Sequence, residues 1–180
     1  MLHRIFFLCL FVALYTSGSS LRCRWMDHKF RQCSENSLNL LETMANNSTN
    51  TTEDAEVTFP KDLYSQAEDK LVFTVQVLEE VSVLFEEDHS SASWEKSTVE
   101  HFLSVVTRQA EGLRSCVSEK MNKKNKKLHM YFKRLSRHVL EGKDHSAAAW
   151  ELIRKEIQTH LLRIDQLISS VLTKSATSSV

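Results

Sequence analysis

The chain has 180 residues, with 23 Lys and Arg against 23 Asp and Glu, three Gly and one Pro. Balanced charge supplies no global field to draw in nucleic acid or an anionic membrane, so any charge-driven partner must bind locally. So little Gly and Pro leaves few of the tight turns that a many-stranded sheet needs, and the composition favours an all-α domain.

The chain opens with a basic residue at Arg4, an unbroken apolar run from Ile5 to Leu14, and the small residues Ser17-Gly18-Ser19-Ser20. This is the plan of a secretory signal peptide, here residues 1–22. The apolar run is about half of the ~20 residues that a membrane-spanning helix requires, and no later segment is long enough. The expected product is a secreted, extracellular protein without membrane insertion, formed as one domain over residues 23–180.

Five helices are predicted. In the first, from about Arg24 to Ala45, Met26, Phe30, Cys33, Ser37, Leu40 and Met44 recur at helical spacing. A polar loop over residues 46–58 follows, rich in Asn, Ser and Thr that bond their own backbone in preference to helix. It carries N-x-S/T sequons at Asn46, Asn47 and Asn50, accessible glycosylation sites in a secreted chain, with Asn46 and Asn47 too close for both to be modified easily. Pro60 limits where the next helix can begin.

The second predicted helix runs from about Asp62 to Glu87. Leu71 to Val77 alternates and is β-branched, a strand signal. However, Tyr64, Ala67, Leu71, Leu78, Val81 and Phe85 fit one helical stripe, and a helix apolar on several sides suits the middle of a bundle. A third helix starts near Ser93 and buries Trp94, Phe102, Val105, Val106 and Leu113 toward Cys116. Next comes the one conspicuous charge run, Lys120, Lys123, Lys124, Lys126 and Lys127, followed by Lys133, Arg134 and Arg137. Such a run serves either as a solvated helix start or as a site for heparan sulfate or another polyanion; without interleaved aromatics it does not read bases, so no nucleic acid is expected.

The fourth helix carries Leu128, Tyr131, Phe132, Leu135, Val139 and Leu140, with Gly142 as its stop signal. The fifth begins after Asp144 or Ser146, either able to cap it. From Trp150 its apolar stripe runs through Ile153, Ile157, Leu161, Ile164, Ile168 and Val171 over a length of roughly 40 Å. No metal-binding H-E-x-x-H, phosphate-cradling Gly-rich loop or G-x-S-x-G elbow is present. His129, His138 and His145 lack companions at ligand spacing and read as surface imidazoles, so neither enzyme chemistry nor a cofactor is expected.

The string Ala149-Trp150-Glu151-Leu152-Ile153-Arg154-Lys155-Glu156-Ile157 resembles the start of the last helix of type I interferons, whose usual run is Cys-Ala-Trp-Glu; here the Cys position is Ala148. Arg24-Trp25-Met26-Asp27 and Lys29-Phe30-Arg31-Gln32 are similar to the mature N-terminus of the fish two-cysteine group of that family. The resemblance implies a helical cytokine bundle of about five helices with a long first loop. It implies a secreted antiviral cytokine that bridges two class II cytokine receptor chains, activating Janus kinase signalling and antiviral gene expression. The high-affinity receptor face would lie on the first loop and last helix. Arg154 matches the Arg of the string and would make a charge-assisted contact to a receptor carboxylate, with Lys155 a weaker candidate. An exposed helical Arg pairing with Glu151 or Gln158 explains the same residue without a receptor. The alternatives are another class II helical cytokine, or a secreted helical protein that binds polyanionic glycans or microbial surfaces through its Lys-rich segment.

In the two-cysteine group one disulfide ties the N-terminal segment to the end of the third helix, which implies a bond between Cys23 and Cys116. With Cys9 leaving in the signal peptide, Cys23, Cys33 and Cys116 remain, an odd number. Along a continuous helix Cys23 and Cys33 stand about 15 Å apart, beyond the ~4.4–6.8 Å that a disulfide spans, so either would have to pair with Cys116. Loop closure does not choose between them, at roughly 4.6 kcal/mol for each. Cys33, on the apolar stripe, reads as a buried core thiol.

Overall fold

The computed structural model describes residues 25–45, 57–60, 62–65, 69–117 and 124–177, with side chains placed through residue 173. The described residues contain helices and no strand. Helix α1 opens as a π-helical stretch, Met26–Phe30, and continues over Arg31–Ala45. Its buried residues are Met26, Phe30, Ser34, Ser37, Leu41 and Met44, so Cys33 and Leu40 move to the half-buried margin of the predicted stripe. The cause is the wider π turn, which carries the stripe one residue further before the 3.6-residue period resumes.

The predicted helix from Asp62 to Glu87 is divided into a single turn α2, Asp62–Ser65, and a long helix α3, Lys70–Phe85. The new start is set by Asp69, whose extended backbone and carboxylate accept the N–H groups of Leu71 and Val72 at 2.9 and 3.0 Å. In α3 the strand-like run is helical. Phe73 through Leu78 are buried without a break, because neighbours enclose this helix on several sides.

Helix α4, Lys96–Arg114, starts later than Ser93 because Glu95 is extended. Trp94, ahead of it, instead stacks on Phe85 at 6.0 Å. Helix α5 runs as α-helix over Lys126–Arg134, loosens to a π-helical stretch over Leu135–Leu140 and tightens to a 3-10 turn at Glu141–Lys143. Gly142 does not supply the left-handed stop expected of it. Asp144 and His145 do, at φ 50° and 49°, and the His145 N–H closes on the Leu140 carbonyl at 2.8 Å. Helix α6, Ala147–Thr177, is capped by Ser146, whose hydroxyl accepts the Ala149 N–H at 3.3 Å. At 1.5 Å per residue α6 spans about 46 Å.

The five expected long helices are therefore present, with the single turn α2 in addition. Helices α1, α4, α3 and α6 pack in a ring, and α5 covers the groove between α3 and α6. Gln76 on α3 donates to the Asn125 carbonyl at 3.0 Å and accepts the Asn125 N–H at 2.7 Å, and Glu80 meets His129 one turn later, so α3 and α5 run parallel. Lys70 bonds Ser170 at one end and the Asp88 carbonyl bonds Trp150 at the other, so α3 and α6 run antiparallel. A Cβ added at Gly112 of α4 would collide with the Trp25 indole, so the missing side chain lets the head of α1 lie against the tail of α4.

Candidate functional site

The end of the first loop is held against the last helix by aromatic packing. Phe59, buried to 6% exposure, sits between Tyr64, Tyr131 and His160 at ring distances of 5.0, 4.8 and 4.7 Å. From α6 the Arg163 guanidinium lies over the Phe59 and Tyr64 rings, 5.9 and 5.6 Å from their centroids. Such cation–π contacts stabilise by about 0.5–1 kcal/mol where water still reaches the cation. Beside it opens a cleft of about 390 Å³ lined by Tyr64, Arg163, Gln166, Leu167 and Ser170. Lys70 closes one side by donating to the Ser170 hydroxyl at 2.7 Å, and Leu162, 49% exposed, is a neighbour of Arg163 on α6.

Under this surface lies a polar network that sequence reading missed. His160, fully buried, bonds the Tyr64 hydroxyl through Nδ1 at 2.8 Å and the Tyr131 hydroxyl through Nε2 at 3.0 Å. Tyr131 donates its own proton to Glu156 Oε1 at 2.5 Å. Its oxygen is therefore the acceptor from the His160 Nε2–H, and Nδ1 is left to accept from Tyr64. Burial pushes both tyrosine hydroxyls well above the ordinary range, which keeps them protonated donors. Burial alone would raise Glu156, but hydrogen bonds from His160 and Tyr131 outweigh it and hold the carboxyl below its usual value. Nothing in the local sequence marks this network, since Tyr64 and Tyr131 lie 96 and 29 residues from His160.

Arg154, expected as an exposed contact, is 5% exposed. Its Nε and Nη2 grip both oxygens of the buried Glu151 at 2.8 and 2.7 Å, and Nη1 reaches Gln158 Oε1 at 3.2 Å and the Leu41 carbonyl on α1 at 3.3 Å. The pairing with Glu151 and Gln158 is present, but inside the bundle, because the same guanidinium also ties α6 to α1. Lys155, next along the helix, is half-buried. Lys124, Lys126 and Lys127 are exposed at the start of α5. Cys23, Asn46, Asn47, Asn50, Lys120 and Lys123 lie outside the described residues. Cys33 is a half-buried thiol in no disulfide, and burial raises its pKa, the condition of an unreactive cysteine.

His129 pairs with Glu80 at an exposed contact and His145 with Glu87 at a half-buried one. No cluster of His, Cys, Asp and Glu able to hold a metal occurs among the described residues, and no helix among them is long and apolar enough to cross a membrane. The arrangement suits recognition: a cationic and apolar surface on a rigid helix, braced from below by buried hydrogen bonds.

Comparison with known proteins agrees with this architecture. The Interferon alpha/beta domain family matches residues 26–171. Interferon a3 of Oncorhynchus mykiss is 37% identical over 169 residues, covering 91% of this chain and 95% of that protein. Human interferon beta is 30% identical over 111 residues, 57% of this chain and 59% of its own length. Among solved structures, zebrafish interferon 1 superposes with a TM-score of 0.67 at 32% identity, covering 82% of this chain and 98% of that one. The bundle, the Trp-Glu-x-x-Arg helix start and a family match over nearly all described residues converge, and the chain belongs to the interferon alpha/beta family as a type I interferon of the fish kind.

Proposed function

We propose that this type I interferon, a cytokine with an antiviral role and not an enzyme, is secreted after removal of residues 1–22 and bridges two class II cytokine receptor chains. Bridging brings the receptors' Janus kinases together and induces antiviral genes. The observation that carries the reading is the cleft where the end of the first loop meets α6, with Arg163 and Leu162 presented on one rigid helix. Tyr and Arg, the types that Tyr64 and Arg163 bring to the cleft, are enriched among the few residues that carry most of the binding energy at protein interfaces. Lys155 adds a positive charge to the same helix. Arg154 enters the reading as the fork that holds α6 against α1 behind this surface.

The test is purified mature protein on cells of the source species, with and without candidate receptor chains, read as signal-transducer phosphorylation and virus yield. Receptor-dependent phosphorylation with reduced yield is expected. Arg163→Ala should lower potency by about tenfold or more, the loss typical of an interface anchor, and Lys155→Ala by less. Unchanged potency of the Arg163 variant at unchanged melting temperature would remove the cleft from the interface.

A disulfide between Cys23 and Cys116 is part of this proposal. It is supported by Trp25 lying on Gly112, one helical turn before Cys116. Glycosylation of the sequons at Asn46, Asn47 and Asn50 belongs to it as well. Peptide mapping without reduction, before and after treatment with an amide-cleaving glycosidase, addresses both. The expected map links Cys23 to Cys116 and loses mass from the peptide carrying Asn46 to Asn50; a link from Cys33 to Cys116, or no mass change on protein from a glycosylating host, overturns the respective claim.

A further inference from the structure

Between Lys124 and Leu140 the chain holds no Asp or Glu, although its total charge is balanced. Helix α5 turns Leu128, Tyr131, Phe132, Leu135, Val139 and Leu140 into the core. That orientation forces the cations onto the opposite side: Lys126, Lys127, Lys133, Arg134 and Arg137 are all exposed. Lys126, Lys133 and Arg137 recur at two- and one-turn intervals, and Lys127 and Arg134 form a second row beside them, so the charges make a band about 17 Å long on the helix. The acidic side chains on the adjoining α3 are already engaged, Glu79 with Arg114 and Lys124, and Glu80 with His129. Among the described residues none of the five cations is in an ion pair. Of the lysines that the sequence singled out, Lys126 and Lys127 open α5, Lys124 faces Glu79 at 3.9 Å, and Lys120 and Lys123 lie outside the described residues.

We infer that the outer face of α5 binds a sulfated glycosaminoglycan chain through Lys126, Lys127, Lys133, Arg134 and Arg137. A linear polyanion with closely spaced sulfates meets a narrow band of uncompensated charges without any rearrangement of the bundle. A membrane does not fit this face: an interfacial helix must bury its apolar side in lipid, and here that side is in the core, leaving Met130 as the single large apolar group outside on α5. A single-stranded nucleic acid needs exposed aromatic platforms, and Tyr131 and Phe132 are buried. The inference rests on the exposed charge of α5 and not on the receptor reading.

The experiment is salt elution of the intact mature protein from heparin, with desulfated heparin as the second matrix. One triple variant carries Lys126→Ala, Lys133→Ala and Arg137→Ala; the control carries Lys29→Ala, Arg31→Ala and Lys96→Ala, three exposed cations elsewhere. Both should keep the parent's helicity and melting temperature. The parent is expected to elute well above physiological salt, about 0.15 M, and the desulfated matrix to release it early. The α5 variant should elute near physiological salt, its log–log salt slope smaller by roughly two to three charges, at the ~0.7–0.9 per contact of polyanion binding, while the control elutes with the parent. Elution of the parent at physiological salt or below overturns the inference, as does equal loss in both variants. A weak heparin response together with lost receptor signalling in the α5 variant alone also overturns it, and assigns the band of charges to an acidic protein partner.

Discussion

Trp150→Ala is expected to lower the free energy of unfolding by about 3–5 kcal/mol, the usual cost of emptying a fully buried aromatic site. For a domain with roughly 5–15 kcal/mol in total, that is a large share, equivalent to a fall in melting temperature of roughly 6–20 °C. Trp150 has no exposed surface and joins three elements: Phe85 at the end of α3, 5.8 Å away, Trp94 ahead of α4 at 5.7 Å, and the connecting turn, where its Nε1–H donates to the Asp88 carbonyl at 3.1 Å. Trp150→Phe keeps part of the ring and loses the hydrogen bond, so a smaller loss of about 1–2 kcal/mol is expected. Denaturant midpoints at unchanged slope give both values. A loss under about 1 kcal/mol for the Ala variant would show that the neighbouring rings refill the site and that Trp150 does not anchor this end of the bundle.

Breaking the Glu151–Arg154 fork is the other large effect. Both side chains are 6% exposed, and Arg154→Ala leaves the carboxylate in the interior without its bidentate partner and the Leu41 carbonyl without a donor. A cost of about 3–5 kcal/mol follows, because most of the penalty is the stranded charge and not the lost attraction. Replacing both partners together, Glu151→Leu with Arg154→Met, removes the desolvation penalty as well and should restore stability to within about 1 kcal/mol of the parent or above it. A double-mutant cycle in chemical denaturation measures the coupling directly. Strictly additive losses would mean that water reaches the pair, against the burial seen in the structure. Any loss of receptor activation in Arg154→Ala must therefore be judged beside its stability.

The helices whose burial falls on one stripe were legible in the sequence. Ile153, Ile157, Leu161, Ile164 and Ile168 line α6 as their spacing requires, all with 1% exposure or less. Legibility ended where a boundary depended on a single side chain. Asp69 sets the start of α3 by capping it, and Asp144 with His145 end α5 in place of Gly142, choices that apolar periodicity does not encode. For the candidate site, the motif string pointed to α6 but not to which of its guanidinium groups is buried and which borders the cleft. Arg154 is drawn inward by Glu151 one turn before it, whereas Arg163, just off the apolar stripe, reaches the aromatic rings of a loop about a hundred residues earlier. Contacts of that range have no local pattern.

A neutral His160 imidazole has one N–H, and in that form its two tyrosine partners cannot be exchanged: one must give a proton and the other must receive one. An opening that frees Tyr64 strands the ring nitrogen inside the protein, and an opening that frees Tyr131 also releases Glu156. Losing either partner thus makes losing the other cheaper. The exit of the first loop, the middle of α5 and the centre of α6 form one cooperative unit, which surrenders its amide protons to deuterium together instead of fraying segment by segment.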